Sequence, residues 1–372
     1  MKLVHLTRWF VPLTALLTLT GCLSSDSSGS DDTHTGRLNY HGLSGITYTT
    51  NSQTGETNAA GEFRYYPGET LSLKVGNLPI IENVPADRFV SFLDFQPELR
   101  EALRIPAVNS LGLKDHRQVE RDLITSNTEL SNRTRFLLAL TWAGNTNDGK
   151  GIDIRPRVIE QLNAALASPN LPDMLDFTVS PEVFAASDSP ANQILRRICF
   201  HPADDRLCGE PPTQQEIDNA EPRPEDDDDL EPGKRYKEDL ESLRDQIAAA
   251  VRTLADVDRE QASAYLRREL NSISNDYGRK YALDPYLASH PASDTAIKTV
   301  KVTKINGQPE LAEIEAISTR PADVQAHSWS WQDAGVEYFV AGEAGGEAEL
   351  LINFRPSDTY RWITKPIRVL ID

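Results

Sequence analysis

The stretch Thr54-Gly-Glu-Thr-Asn-Ala-Ala-Gly-Glu-Phe-Arg-Tyr-Tyr-Pro-Gly-Glu69 decides the fold of the first part of the chain. Gly61 stands where a tight turn needs a positive φ angle, and Phe63 and Tyr65 then follow two residues apart, as on one face of a strand. A Pro-Gly pair predicts a second turn, and alternating apolar residues follow it. We therefore predict a small β-sandwich module over residues 38–84.

The same stretch carries the pattern G-x-T-N-x-x-G-x-F-x-Y-x-P-G-E. This pattern resembles the carboxypeptidase-regulatory or transthyretin-like β modules found near the N-termini of bacterial surface proteins. The resemblance covers about 40 residues. It implies a unit that packs or spaces the chain and brings no catalytic residue.

Residues 85–210 change to a helical pattern. Ser131 is a candidate N-cap for the apolar helix that follows it. The segment from Asn132 to Ile154 resembles a module of bacterial envelope proteins, in which a helix leads into an Asp/Asn/Gly-rich loop and a G-I-x-I sequence.

That loop suggests a calcium site, because amide and carboxylate oxygens are the ligands calcium prefers. The spacing of an EF-hand is not met, so a solvated Asn/Gly turn is the favoured interpretation and calcium is the alternative. The candidate ligands are Asn145, Asn147, Asp148 and Asp153.

Cys199 and Cys208 are the cysteines that remain after Cys22. The N-terminal motif discussed below implies that the chain is exported, and disulfides persist outside the cytoplasm. We therefore predict a disulfide between Cys199 and Cys208. A metal site including His201 is the alternative, but the spacing matches no zinc pattern.

Two segments connect this region to the C-terminus. Residues 211–234 hold five prolines and nine acidic residues against Arg223 and Lys234, which predicts an extended linker. Residues 235–290 form a helical segment, whose apolar seam changes face at Asp258. One long bent helix and a helical hairpin both fit that pattern.

Residues 295–372 return to short strands and predict an immunoglobulin-like β-sandwich. Asn306-Gly307 predicts a hairpin turn between two of them. Trp329 and Trp331 share a strand face, and the favoured interpretation is that they pack in the core; the alternative is a platform that binds sugar rings. The predicted fold class is thus α+β multidomain, with a small N-terminal β-sandwich, a helical middle and this C-terminal sandwich.

The N-terminus carries Leu19-Thr20-Gly21-Cys22 at the end of an apolar run. That run, from Trp9 to Thr20, is 12 residues long, whereas a membrane-spanning helix needs about 20. The motif resembles the lipobox of bacterial outer-membrane lipoproteins. The resemblance implies a signal peptide at 1–21, acyl chains such as palmitate on Cys22, and a flexible tether over 22–37. An ordinary secretory signal with a chance cysteine is the alternative.

Leu23 follows the cysteine, and by the same resemblance it indicates the outer membrane, on either the periplasmic face or the cell surface. The formal net charge of -18 argues against nucleic acid and against a broad basic membrane-binding face. The sequence shows no nucleophile elbow, phosphate-cradling glycine loop or His-x-x-x-His spacing. We therefore expect no catalytic residues and no cofactor apart from the calcium alternative.

These patterns favour a non-enzymatic, lipid-anchored envelope protein that acts in binding, scaffolding or adhesion. Its partners would be the membrane, through the N-terminal lipid, and an unidentified envelope protein or glycan. The alternative is a soluble accessory of an ABC-type system for hydrophobic compounds or lipids, since the chain resembles lipoproteins labelled as components of organic-solvent ABC transporters.

Replacing the lipidated thiol tests the predicted anchor. We expect the Cys22→Ser protein to leave the membrane fraction, because no acyl chain can be attached. The Cys199→Ser/Cys208→Ser variant is the control and should still sediment with membranes. A Cys22→Ser protein that sediments like wild type contradicts the lipid anchor.

Overall fold

The computed structural model describes residues 33–144, 149–172 and 174–372. Helices and mostly antiparallel sheets are combined in these residues, which confirms the predicted α+β class. The compact unit Thr33–Asp372 contains two hydrophobic cores. Within the described ranges, no helix combines the length and the apolar character needed to cross a bilayer. The predicted signal peptide and Cys22 lie outside the described residues.

The elements of the first part of the described chain are β1 (His34–Leu38), β2 (Leu43–Ser44), β3 (Thr47–Thr49), β4 (Thr54–Glu56), β5 (Glu62–Tyr65), β6 (Thr70–Val75), β7 (Leu78–Pro85), β8 (Phe89–Val90), α1 (Pro97–Leu103), β9 (Ala107–Val108), β10 (Lys114–Asp115), α2 (His116–Ser126), α3 (Thr128–Ala139), β11 (Ile152–Asp153), α4 (Pro156–Leu166), α5 (Pro181–Phe184), α6 (Pro190–Leu195) and α7 (Gln214–Asn219). The later elements are α8 (Lys237–Ala250), α9 (Arg259–Arg279), β12 (Tyr281–Asp284), β13 (Leu287–His290), β14 (Lys298–Lys304), β15 (Leu311–Ser318), β16 (Val324–Ser330), β17 (Gly335–Val340), β18 (Glu347–Pro356) and β19 (Ile363–Ile371). Short 3-10 turns occur at Phe92–Phe95, Arg206–Cys208, Asp227–Asp229 and Leu254–Asp256.

The N-terminal strands form two small sheets, ordered β4-β3-β6-β7 and β5-β1-β8. Gly61 makes the predicted turn with a φ of 70°, and Phe63 and Tyr65 are both buried on one face of β5. The strand after this turn pairs with β1 rather than with β4, so the chain crosses between sheets instead of closing a hairpin. β1 begins at His34, inside the predicted tether, because it pairs with β5 and buries Leu38.

The β module and the helices share the first core. β2 pairs in parallel with β11 across the predicted module boundary. The two backbones approach so closely that a Cβ on Gly151 would lie 2.3 Å from the carbonyl oxygen of Gly42, which explains the glycine there. α3 starts earlier than predicted: Asn127, not Ser131, is its N-cap and accepts a hydrogen bond from the Leu130 N–H at 2.7 Å.

The segment predicted as an extended linker, 211–234, is folded. It contains α7, which begins with a capping box between Thr213 and Glu216, and it buries Ile217 completely. Its charges are partly neutralised, since Lys234 Nζ lies 2.7 Å from a Glu221 carboxylate oxygen. An apolar anchor and local ion pairs thus outweigh the repulsion on which the linker prediction was based.

Residues 235–290 contain two separate helices, not one long helix. α8 ends at Ala250, and α9 begins where Asp258 accepts a hydrogen bond from the Gln261 N–H at 2.7 Å. The change of face at Asp258 therefore marks a helix start. The predicted segment also runs too far, because β12 and β13 follow α9 and belong to the sheets of the C-terminal region.

The C-terminal region forms two four-stranded sheets, ordered β12-β14-β17-β16 and β13-β19-β18-β15. Their apolar faces make the second core, which confirms a β-sandwich. The chain turns at Asn306-Gly307, with a φ of 59° at Asn306, but β14 and β15 lie in different sheets. The hairpin prediction was wrong here because the chain uses this turn to cross the sandwich, and Pro309 offers no N–H for continued pairing.

The predicted disulfide is confirmed: Cys199 and Cys208 are bonded, with their Cα atoms 5.5 Å apart. The Cys199 N–H also donates to Gln161 Oε1 on α4 at 2.8 Å. The bond therefore closes a loop that is fixed to the first core.

Removing this bond tests its contribution to stability. We expect Cys199→Ser/Cys208→Ser to lower the free energy of unfolding by about 2–3 kcal/mol, because the unfolded chain regains the entropy of an open loop. Urea unfolding measures the change. Adding reductant to the double variant is the control and should have no effect; a double variant as stable as the oxidised wild type contradicts the prediction.

Candidate functional site

A buried polar cluster lies where α2, α9 and the loop before β19 meet. We call it the junction cluster; its members are His116, Glu120, Ser274, Tyr360, Arg361 and Trp362. The loop before β19 comes from the sandwich, whereas α2 belongs to the first core. The cluster therefore holds the sandwich against the helices.

His116 is the centre of this cluster and is 1% exposed. The backbone N–H of Trp362 donates to Nδ1 at 3.0 Å, so Nδ1 carries no proton. The proton is then on Nε2, which donates to Ser274 Oγ at 3.1 Å. Burial, and then the positive charge of Arg361, hold the pKa of His116 well below its usual value, so the ring is neutral at neutral pH.

Glu120 makes the second set of contacts. The Tyr360 hydroxyl donates to Glu120 Oε1 at 2.7 Å, and Arg361 Nη2 lies 3.8 Å from the same oxygen as a longer ion pair. Burial raises the pKa of the Glu120 carboxyl and outweighs the opposing effect of Arg361. Burial also raises the pKa of Tyr360 well above its usual value. These groups bind the loop to α2 through charge-assisted contacts.

The pair of Ser274 and His116 is similar to the first two members of a hydrolytic triad, but its proton is in the wrong place. A general base must accept the serine proton at the nitrogen that faces the hydroxyl. Here that nitrogen is Nε2, which already carries a proton and donates to Ser274. The Asp115 carboxylate is 4.0 Å from Nδ1, too far for a hydrogen bond that would reverse the tautomer. The arrangement does not make a nucleophile of Ser274.

Sequence reasoning identified neither Ser274 nor Glu120 as a partner of His116. Ser274 is 158 positions from His116 along the chain, and no spacing rule connects them. The available signal was weak: His116 is one turn before Glu120 on an amphipathic helix, which places both on one face.

Two clefts flank the loop that contributes to the junction cluster. One has a volume of about 620 Å³ and lies on the side of Trp362 and α9. The other has a volume of about 480 Å³ and is lined by Arg361, Tyr277 and Asp87 among others. Both are large enough for a small polar group.

The predicted calcium ligands are not brought together as a site by the described residues. Asn145, Asn147 and Asp148 lie outside them. Asp153 is described, and its carboxylate accepts from Arg155 Nε at 3.1 Å and from Ser44 Oγ at 3.3 Å. Among the residues the structure describes, no group of three or more His, Cys, Asp or Glu side chains is placed to hold a metal ion.

The two predicted tryptophans lie in and just after the edge strand β16. Trp329 is 48% exposed and Trp331 is 47% exposed, so neither is a core residue. Trp329 is opposite Val336 on β17, while Trp331 stands in the turn that joins the two strands. Both residues therefore belong to the edge hairpin, but they do not share a strand face, because β16 ends at Ser330, before Trp331.

Comparison of the chain with protein-family models, curated proteins and solved structures finds no match.

The buried neutral state of His116 predicts a pH dependence of folding. Its pKa is lower in the folded chain than the unfolded value of 6.5, so the unfolded chain binds more protons as the pH falls below 6.5. The contribution of neutral His116 to the free energy of unfolding is therefore complete above pH 6.5. Below that pH the contribution decreases, by up to about 1.4 kcal/mol per pH unit. We expect His116→Asn to remove this pH dependence of the free energy of unfolding.

Urea unfolding at several pH values measures the effect. The asparagine keeps an acceptor for the Trp362 N–H but cannot titrate. His327→Asn, at an exposed position, is the matched control and should follow the wild-type profile. A His116→Asn profile parallel to wild type would show that the histidine is not buried in its neutral form.

Proposed function

We propose that the chain is a non-catalytic, lipid-anchored binding protein of the bacterial outer membrane, and that the edge hairpin of its β-sandwich binds a glycan. The observation that carries the proposal is the exposure of Trp329 and Trp331, each close to half. Large aromatic side chains contribute most when they are buried, so two exposed indoles on one hairpin indicate a binding surface.

The edge hairpin also carries polar side chains that suit a sugar, and of these Ser328 and Glu337 project from the face opposite to that of Trp329 and Val336. Ser328 Oγ donates to a Glu337 carboxylate oxygen at 2.6 Å, and Ser330 Oγ donates to Asp333 at 2.8 Å. The carboxylates keep further acceptor capacity for hydroxyl groups. A hairpin that carries both an aromatic surface for the apolar side of a sugar ring and acceptors for its hydroxyl groups has the composition that we expect of a glycan site.

We further infer that the sandwich is of the immunoglobulin type. The sheet β12-β14-β17-β16 has the order A-B-E-D of that fold, and β13-β19-β18-β15 has the order A′-G-F-C. β13 and β19 are parallel, as an A′ strand and a G strand are. Such sandwiches commonly bind their ligands at loops and strand edges.

The junction cluster supports the non-catalytic part of the proposal. Nε2 of its histidine already carries a proton and donates to the serine, so the histidine cannot act as the base that activates that serine. The second hypothesis, a transport accessory, needs an apolar cavity for its cargo. The core between the described helices is packed with buried side chains such as Phe136, Leu138 and Leu162. We therefore favour the binding protein over the transport accessory.

Binding to insoluble peptidoglycan and to immobilised lipopolysaccharide tests the proposal. We expect wild-type protein to bind one of these glycans, and Trp329→Ala/Trp331→Ala to weaken the binding by roughly five-fold or more, since stacked aromatic contacts contribute about 0.5–1.5 kcal/mol each. Tyr286→Ala is the matched control, because Tyr286 is an exposed aromatic residue elsewhere on the sandwich. Wild-type protein that binds neither glycan, or equal binding by the tryptophan variant, contradicts the proposal.

A further inference from the structure

The larger of the two clefts has an excess of positive charge. It lies between the β9–β10 hairpin, the C-terminal end of α9 and the start of β19. We call it the basic cleft. Its charged lining residues are Lys114, Arg117, Arg279 and Lys365, with Asp115 as the acidic residue among those described.

Three of these cations form no ion pair in the described part of the chain, although the charge of Arg117 also acts on the buried Glu120 carboxyl. Lys114 pairs with Glu313, and Asp115 accepts a hydrogen bond from the backbone N–H of Arg117. The side chains of Arg117, Arg279 and Lys365 make no ion pair or hydrogen bond to the residues that the structure describes. In a chain of net charge -18, three unpaired cations around one concave space form a local anion-attracting field.

An exposed apolar surface adjoins this cleft on the β9–β10 hairpin and on the segment just before it. Ile105 is 72% exposed, Val108 is 67% exposed and Leu111 is 56% exposed. We call these three residues the apolar tip. Asn109 Oδ1 accepts from the N–H groups of Leu111 and Leu113 at 2.9 and 3.1 Å, which fixes the turn that presents the tip.

The hairpin connects the two features directly. Val108 is the cross-strand partner of Lys114, so the hairpin that carries two of the tip residues also lines the cleft, whereas the cations Arg117, Arg279 and Lys365 come from α2, α9 and β19. Exposed aliphatic residues are usually scattered singly. Three of them beside unpaired cations match a molecule with an anionic head and an apolar body.

We propose that the basic cleft and the apolar tip together form a docking site for anionic phospholipid at a membrane surface. Arg117, Arg279 and Lys365 contact headgroup phosphates, and the apolar tip enters the boundary with the acyl chains. The proposal does not depend on lipidation of Cys22. The acidic residues elsewhere in the chain repel an anionic membrane only weakly, because charges more than about 8–10 Å away are screened at physiological salt.

Vesicle sedimentation of residues 33–372, the unit that holds both cores and the disulfide, tests the proposal without the N-terminal anchor. We expect binding to phosphatidylcholine vesicles that contain phosphatidylglycerol, and none to pure phosphatidylcholine. Arg117→Ala/Arg279→Ala/Lys365→Ala should reduce the binding on the order of 100-fold, about five-fold for each cation. Circular dichroism melts verify that each variant is folded.

A charge-matched control separates the cleft from net charge. Arg64→Ala/Lys74→Ala/Arg196→Ala removes three exposed cations from other surfaces and should leave the binding unchanged. Equal losses in the two triple variants overturn the proposal, and so does equal binding of wild type to both vesicle types or to neither.

The apolar tip distinguishes a lipid from a free anion. Ile105→Ser/Val108→Ser/Leu111→Ser should weaken vesicle binding at least ten-fold while the calorimetric response to inorganic phosphate stays as in wild type. If this variant binds vesicles like wild type, the cleft is a site for free anions and the lipid proposal fails.

Discussion

The buried carboxylate of Glu269 is the contact on which the arrangement of the described chain depends. It is fully buried, and it accepts hydrogen bonds from the backbone N–H groups of Tyr40 and His41 at 2.9 and 2.8 Å and from His41 Nδ1 at 2.8 Å. Arg268 Nη2 lies 3.2 Å from Oε1, the carboxylate oxygen that also contacts His41 Nδ1. A buried carboxylate without these partners would cost several kcal/mol. The loop after β1 and helix α9 must therefore be in place together.

α9 carries this constraint to the C-terminal region. Tyr265 and Leu266 are in the first core, and Ile273 and Tyr277 are in the second. One turn after Tyr277 the chain is already in β12. The junction cluster is a second attachment, since it binds the loop before β19 to α2. The pair of Lys114 on β10 and Glu313 on β15 is a further attachment, so the edge hairpin with Trp329 has a fixed orientation relative to the basic cleft.

Much of the local structure could be predicted from the sequence, because its causes are local. The alternation of Phe63 and Tyr65 and the turn at Gly61 each depend on neighbouring residues. The disulfide followed from compartment and from the small number of cysteines. Errors arose where distant residues decide the outcome. The partner of the strand after Gly61 is β1, and nothing in residues 57–65 specifies that choice. The acidic segment 211–234 folds because Ile217 finds a buried position.

The candidate site was predictable to a smaller extent. Trp329 and Trp331 could be selected as a pair by their spacing, but the same spacing fits a core strand, and exposure alone separates the two interpretations. The junction cluster combines residues from three distant segments of the chain. Its central hydrogen bond uses the backbone of Trp362, which no side-chain pattern reveals. The basic cleft was hidden for a similar reason, since Arg117, Arg279 and Lys365 converge only after folding.

The position of β1 has a mechanical consequence. It is the middle strand of its sheet, between β5 and β8, and it is the first element of the described chain. A force that pulls β1 along its own axis loads both of its hydrogen-bond ladders in shear, so several bonds must break at once rather than one after another. The body therefore resists lengthwise traction on β1, which is the described element nearest in sequence to Cys22.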